Sequence, residues 1–213
     1  MKTDDLITML ATGAPPVEWS APVRRFAGPL GWGLFGATLL MALTLGVRAD
    51  IAQAMQLPMF WIKLVVPATA ALASLRLATR LVCPGMGPGR APVVLGGLLL
   101  LAWISAAVTL LAAAPAARPE LIFGQTWKTC PFSIALLSLP LLMAAFRAMK
   151  DLAPIRLRLA GGSAGLLAGS ASAAIYALHC PEMAAPFLGI WYVLGIFIPA
   201  AFGAALGPWL LRW

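Results

Sequence analysis

Long apolar stretches broken by short polar ones set the pattern of this chain. Runs of about 20 apolar residues, enough to cross a bilayer as a helix, lie near 28–47, 59–78, 93–114, 132–149, 157–178 and 187–210. The connections 77–90 and 149–158 are short and rich in Pro, Gly and Arg. The pattern predicts an all-α, polytopic membrane protein with six transmembrane helices. Composition agrees: 62% of the 213 residues are hydrophobic, 10% are charged, and the mean hydropathy is +0.92. Too little sequence remains for a sizeable soluble domain. The chain therefore divides into an N-terminal segment, 1–27, and a six-helix transmembrane domain, 28–213.

Charge orients that domain. With six crossings both termini share one side of the membrane. Lys2, Arg24, Arg25, Arg76, Arg80, Arg90, Arg147, Lys150, Arg156, Arg158 and Arg212 fall on that side, and Arg48, Lys63, Arg118 and Lys128 on the other. Loops that stay in the cytoplasm carry the excess of Lys and Arg, so an N-in/C-in arrangement is expected, with 1–27 cytoplasmic. The net charge of +8 is accounted for by basic loops facing anionic headgroups. No basic run is interleaved with stacking aromatics, so no direct nucleic-acid contact is expected. Lys2, Asp4, Asp5 and Glu18 precede the first apolar run, unlike a cleaved signal peptide.

The N-terminal segment has the marks of a short helix. Thr3 suits an N-cap, Asp4 and Asp5 suit the first turn, and Leu6, Ile7 and Leu10 form an apolar stripe before Gly13, Pro15 and Pro16. So short a helix is marginal alone in water, which leaves a segment that orders on a partner, or a frayed tail. Within the membrane, Gly161, Gly165, Gly169 and Ala173 recur every fourth residue, and Gly203 and Gly207 share that spacing. Small residues on one face let another helix backbone approach closely.

The candidate chemistry lies in two Cys-Pro pairs, Cys130-Pro131 and Cys180-Pro181, the second within His179-Cys180-Pro181-Glu182. The predicted orientation puts both at the outer surface and Cys83 in a cytoplasmic loop. Thiols facing an oxidising compartment can pair, and an even number there suits a disulfide or a two-thiol sensor. Cys130 and Cys180, with His179 and Glu182 as auxiliary ligands, also offer donors to zinc-like and softer ions. A constitutive disulfide staple and a redox- or metal-responsive pair both remain open, and no constitutive cofactor is expected. The adjacent prolines mark hinge-like helix ends.

Other chemistries fit less well. Gly161-Gly162-Ser163-Ala164-Gly165 matches G-x-S-x-G, but that pattern needs a strand-to-helix elbow. The chain's one histidine, His179, lies 16 residues farther along the same helix, roughly 24 Å away at 1.5 Å per residue. A membrane thiol–disulfide oxidoreductase would require Cys-x-x-Cys or a second outer pair to pass electrons on. A small transporter would require ionisable groups along a pathway, whereas Lys63 and Arg76 sit near opposite ends of one run and can snorkel. These two remain the alternatives to a regulatory role. Trp127, Trp191 and Tyr192 are expected in an interfacial aromatic belt.

Thr3-Asp4-Asp5-Leu6-Ile7, Trp127-Lys128-Thr129-Cys130-Pro131 and Tyr176-Ala177-Leu178-His179-Cys180-Pro181-Glu182, followed by Ala185-Pro186-Phe187, Trp191-Tyr192 and Leu210-Leu211-Arg212-Trp213, resemble the NrsF family. Its members are six-span inner-membrane anti-sigma factors, negative regulators of extracytoplasmic-function sigma factors. The resemblance runs from the first residues to the last. It implies a non-enzymatic regulator whose N-terminal segment sequesters such a sigma factor, with Leu6, Ile7 and Leu10 as apolar contacts and Asp4 and Asp5 facing basic sigma surface. It also implies that Cys130 and Cys180 carry a heavy-metal or oxidative stress signal, a heavy-metal ion at these cysteines included. Cys83 matches no signal residue of the family and reads as structural.

Overall fold

The computed structural model describes residues 3, 5, 8, 12, 21–83, 85–150, 152 and 154–212, with 21–24 as backbone alone. Among the described residues there are helices and turns and no strand. In chain order they are α1 (Ala21–Thr44), the short α2 (Ile51–Ala54), α3 (Pro58–Leu81), α4 (Ala91–Ala112), the short α5 (Arg118–Phe123), α6 (Cys130–Lys150), α7 (Leu157–Tyr176) and α8 (Ala185–Leu210). Within α8, Leu188–Tyr192 forms a π-helical turn. Prolines open several helices: Pro58 in α3, Pro92 in α4 and Pro131 in α6. In the first turn a missing N–H leaves no helical bond unmade, so Pro131 starts a helix rather than hinging one. Gly46 (φ 74°) closes α1, its N–H and that of Leu45 both reaching Met41 O, a left-handed cap that glycine accepts without strain.

Five of these helices, all the long ones except α7, are long and apolar enough to cross a membrane. The outer surface supports that reading, because large apolar side chains project from it: Trp209 is 83% exposed and Leu111 79%. Patches of that extent are a liability in water and the normal state in lipid. α7 differs from the expected sixth apolar run for a physical reason. It is enclosed by its neighbours, with Ala160, Ala164, Ala168, Ser170, Ser172 and Ala173 all buried. A helix that meets protein on every side has no need of large lipophilic side chains, and small ones bring its neighbours closer.

The seam between α7 and α8 shows how close. A Cβ at Gly161 would meet the carbonyl oxygen of Gly203, one at Gly165 that of Pro199, and one at Gly207 that of Leu157. The glycines of the two helices thus pack backbone on backbone, pairing α7 with the last helix of the chain. α1 lies against α6, where a Cβ on Gly33 would touch Ala144 and Leu141. α4 is the outlier, with Ala91 and Ala106 alone buried.

The helices run alternately, which gives the bundle two ends. At one, the start of α1 meets the ends of α3, α6 and α8 in a cluster that includes Phe26, Leu30, Ala78, Val82, Met149 and Leu211, with Cys83 packed against it. At the other, the ends of α1 and α7 meet the starts of α3, α6 and α8. That end holds both remaining cysteines.

Replacing Gly165 with Val should lower the melting temperature of the detergent-solubilised protein, by overpacking worth about 1–3 kcal/mol or more. Gly97→Ala, where a Cβ meets nothing within 4 Å, should leave it unchanged or raise it by up to about 1 kcal/mol. Equal melting temperatures for the two variants, followed by circular dichroism, would refute the seam.

Candidate functional site: a buried thiol pair at one end of the bundle

Cys130 is the first residue of α6, its N–H bonded to Thr126 O, and Cys180 lies in the turn that leaves α7, its N–H bonded to Tyr176 O. Both are fully buried and both are free thiols. They share one apolar cluster with Met41, Ile134, Leu137, Ala173, Tyr176, Phe187 and Tyr192. The Tyr176 ring lies 5.9 Å from that of Tyr192, and its hydroxyl sits beside Cys130, Thr129 and Ser133. Thr126 Oγ1 is 4.0 Å from Cys180 Sγ. Residues separated by fifty positions are thus brought into one pocket by the ends of three helices.

A cation holds the turn in place. Lys63, on the second turn of α3, is 2% exposed, and its Nζ donates to Cys180 O and Glu182 O, each at 2.7 Å. It also stands 5.3 Å over the Tyr192 ring. The expectation that Lys63 snorkels to the interface is therefore corrected: its ammonium turns inward, where two carbonyls and an aromatic face replace water. Arg48 Nη1 reaches Cys180 O at 3.4 Å and Arg48 N–H donates to Leu178 O. The Arg48 guanidinium pairs with Asp50 at 2.6 Å. The Asp50 hydrogen bond raises the Arg48 pKa, and the same bond lowers that of exposed Asp50. Whatever this pair contributes is present above the ordinary carboxylate range and is lost as the pH falls through the lowered value.

His179 and Glu182, expected as auxiliary ligands, are engaged elsewhere. His179 Nδ1 is 2.9 Å from Gly46 O, fastening α7 to the end of α1. Glu182 Oε1 accepts the N–H of Gln125 at 2.7 Å. Gly124 (φ 51°) makes room for it, since a Cβ there would lie 2.6 Å from the carboxylate. Among the described residues no three His, Cys, Asp or Glu side chains converge. The structure thus brings Cys130 and Cys180 together and uses His179 and Glu182 as fasteners between loops. Tyr192 does not belong to an aromatic belt: it is 4% exposed, and its hydroxyl lies beside the Cys180 thiol. Trp191 does lie near the edge, donating to Ile122 O at 2.8 Å and packing 5.3 Å from Trp127. Of the expected partner contacts, Asp5 is helical and exposed, whereas Asp4, Leu6, Ile7 and Leu10 lie outside the described residues.

The sequence model of the family described as "Negative regulator of sigma F", NrsF, matches residues 10–213. The chain belongs to the NrsF family. It is 53% identical over 213 residues, all of both chains, to a probable anti-sigma-F factor NrsF of Azospira oryzae. Over 215 residues, again the whole of both, it is 38% identical to the anti-sigma-F factor NrsF of Caulobacter vibrioides. No solved structure matches. For this NrsF chain, Lys63, Arg48, Tyr176 and Tyr192 are the site residues that sequence reasoning passed over. A lysine within an apolar run was the available signal, since ionisable groups at membrane depth are costly to bury.

Lys63→Met would leave two buried carbonyls without their charged donor, a loss of about 1–3 kcal/mol. The turn should open more often, so alkylation of Cys180 by iodoacetamide, followed by mass spectrometry of its peptide, should quicken severalfold. An unchanged rate would show that Lys63 does not secure the turn.

Proposed function

We propose that this protein is an anti-sigma factor of the bacterial inner membrane, crossing it six times with both termini in the cytoplasm. The observation that carries the reading is family membership along the whole chain, together with full-length relatives named anti-sigma-F factors. The role is regulatory, with a sigma factor as partner. The segment 1–27 holds an extracytoplasmic-function sigma factor against the membrane, using Leu6, Ile7 and Leu10 as an apolar stripe and Asp4 and Asp5 against basic surface. Recognition is of the helix-in-groove kind, by a segment that orders on binding. With six crossings, eleven of the fifteen Lys and Arg share a side with the N-terminus, which favours the N-in assignment.

Cys130 and Cys180 are the sensor. They sit buried at the bundle end remote from the first residues of α1, a separation of roughly 30 Å for a helix of 20 residues. Oxidation of the pair, or capture of a heavy-metal ion by it, requires the Cys180 turn and the start of α6 to shift relative to one another. α7 passes that shift to the inner face. A coupling free energy of only about 1–3 kcal/mol would weaken sigma binding some 5–150-fold.

Two experiments test the parts separately. Tagged full-length protein should co-purify a small sigma factor, and deletion of 1–16 should abolish recovery while the membrane fold survives. No recovery with the intact chain would overturn the anti-sigma role. Replacing both Cys130 and Cys180 with Ser should abolish induction of the regulon by cadmium or an oxidant. Induction that persists would sink the sensor mechanism and leave the sigma-holding role standing.

A further inference from the structure

A cavity of about 530 Å³ lies between α3, α4, α7 and α8, next to the thiol site but not part of it. Ligand pockets fall in the range of roughly 300–1,000 Å³. Its walls are almost wholly aliphatic, from Ile62, Val66 and Ala70 of α3, Leu99 of α4 and Ile196 of α8, among others. Four polar residues interrupt them: Lys63, Ser105, Ser170 and Tyr192. Lys63, Ser170 and Tyr192 are each more than nine-tenths buried, whereas exposed Ser105 donates to Ala102 O. The hydroxyl of Ser170 has no hydrogen-bond partner, and buried hydroxyls without partners are rare and costly; that of Tyr192 lies beside the Cys180 thiol. Lys63 has three N–H donors, of which the two carbonyls of the cysteine turn take two.

Lys63 and Ser170 can each donate once more, and the cavity wall presents no carboxylate to receive them. Among the described residues the one ion pair is Arg48–Asp50, so the charge of Lys63 is answered by dipoles and not by an anion. A buried cation without a counter-charge lacks much of the stabilisation that water gave it. The complement is therefore elongated and apolar, with an anionic, acceptor-only end. We propose that this cavity binds a long-chain fatty acid, its carboxylate received by Lys63 and its chain lying along the aliphatic wall past Ser170. The carboxylate is acceptor-only and supplies the anion that the third N–H of Lys63 lacks. The site stands independently of the anti-sigma reading. It shares Lys63 with the turn that carries Cys180, so an occupant draws on the same ammonium.

The test uses full-length protein in nanodiscs and dibromostearic acid, whose bromines quench tryptophan. Trp103 is the reporter: its Nε1 bonds to Gly189 O, and Gly189 lines the cavity. Quenching of Trp103, read as the part lost in Trp103→Phe, should saturate with the acid. The methyl ester of the same chain should bind at least about tenfold more weakly, the effect of losing a charge-assisted contact. Ala70→Phe, which fills the cavity away from Lys63, should abolish saturable quenching. Lys63→Met should weaken the acid about tenfold and leave the ester little changed. Equal affinity of acid and ester would show an ordinary lipid-chain cleft and overturn the carboxylate site. Saturable quenching that persists in Ala70→Phe, or none at all with the wild-type chain, would overturn the cavity as the binding place.

Discussion

The backbone contact between α7 and α8 is the constraint on which the other positions depend. Carbonyl oxygens of one helix sit where the other would carry a Cβ, at Gly161, Gly165, Gly203 and Gly207. Lipid tails are as apolar as leucine, so helices in a membrane gain from dispersion and close fit rather than from escaping solvent. A flush seam of this sort is how a Gly- and Ser-rich helix can be the middle of the bundle. Because α7 is fixed there, Tyr176 and the turn after it reach the same depth as the starts of α3, α6 and α8. The cysteine end follows from the glycine seam.

That end is assembled from weak individual parts used densely. Its fasteners run between elements far apart in the chain: Lys63 to the turn at 180–182, Arg48 to Leu178, His179 to Gly46, Gln125 to Glu182. Several end on backbone carbonyls, so main-chain acceptors position the turn together with the side chains of His179 and Glu182. Two buried thiols can then change state inside a frame that other residues hold. An exposed pair of cysteines on a loop would lack that frame.

Much of the architecture was readable from the chain. The run 59–78 became Pro58–Leu81 and 187–210 became Ala185–Leu210, because an apolar stretch of that length has few alternatives. The four-residue spacing of glycines correctly marked a packing face. It could not name the partner, since spacing describes one helix and contact requires two. The pairing of Cys130 and Cys180 at one end followed from counting helices. What failed was the role of polar side chains near that end. Lys63 in an apolar run is compatible with snorkelling or with burial, and the choice rests on carbonyls 117 and 119 residues away. His179 and Glu182 are equally good metal ligands and backbone fasteners. Residue type alone does not separate the two uses, whereas the positions of Gly46 and Gln125 do.

The π-helical turn at Leu188–Tyr192 makes this region a matter of counting. Such a turn encloses one residue more than an α-turn, which sets the side chains before and after it out of phase by about 100°. Because of that offset Tyr192 faces the thiols while Gly203 and Gly207, farther along, face α7. Loss of a single residue here would close the turn into ordinary α-helix with every hydrogen bond intact. The helix would survive and its two faces would no longer agree, either the aromatic lid leaving the cysteines or the glycines leaving the seam. In this stretch the chain tolerates a change of residue more readily than a change of length.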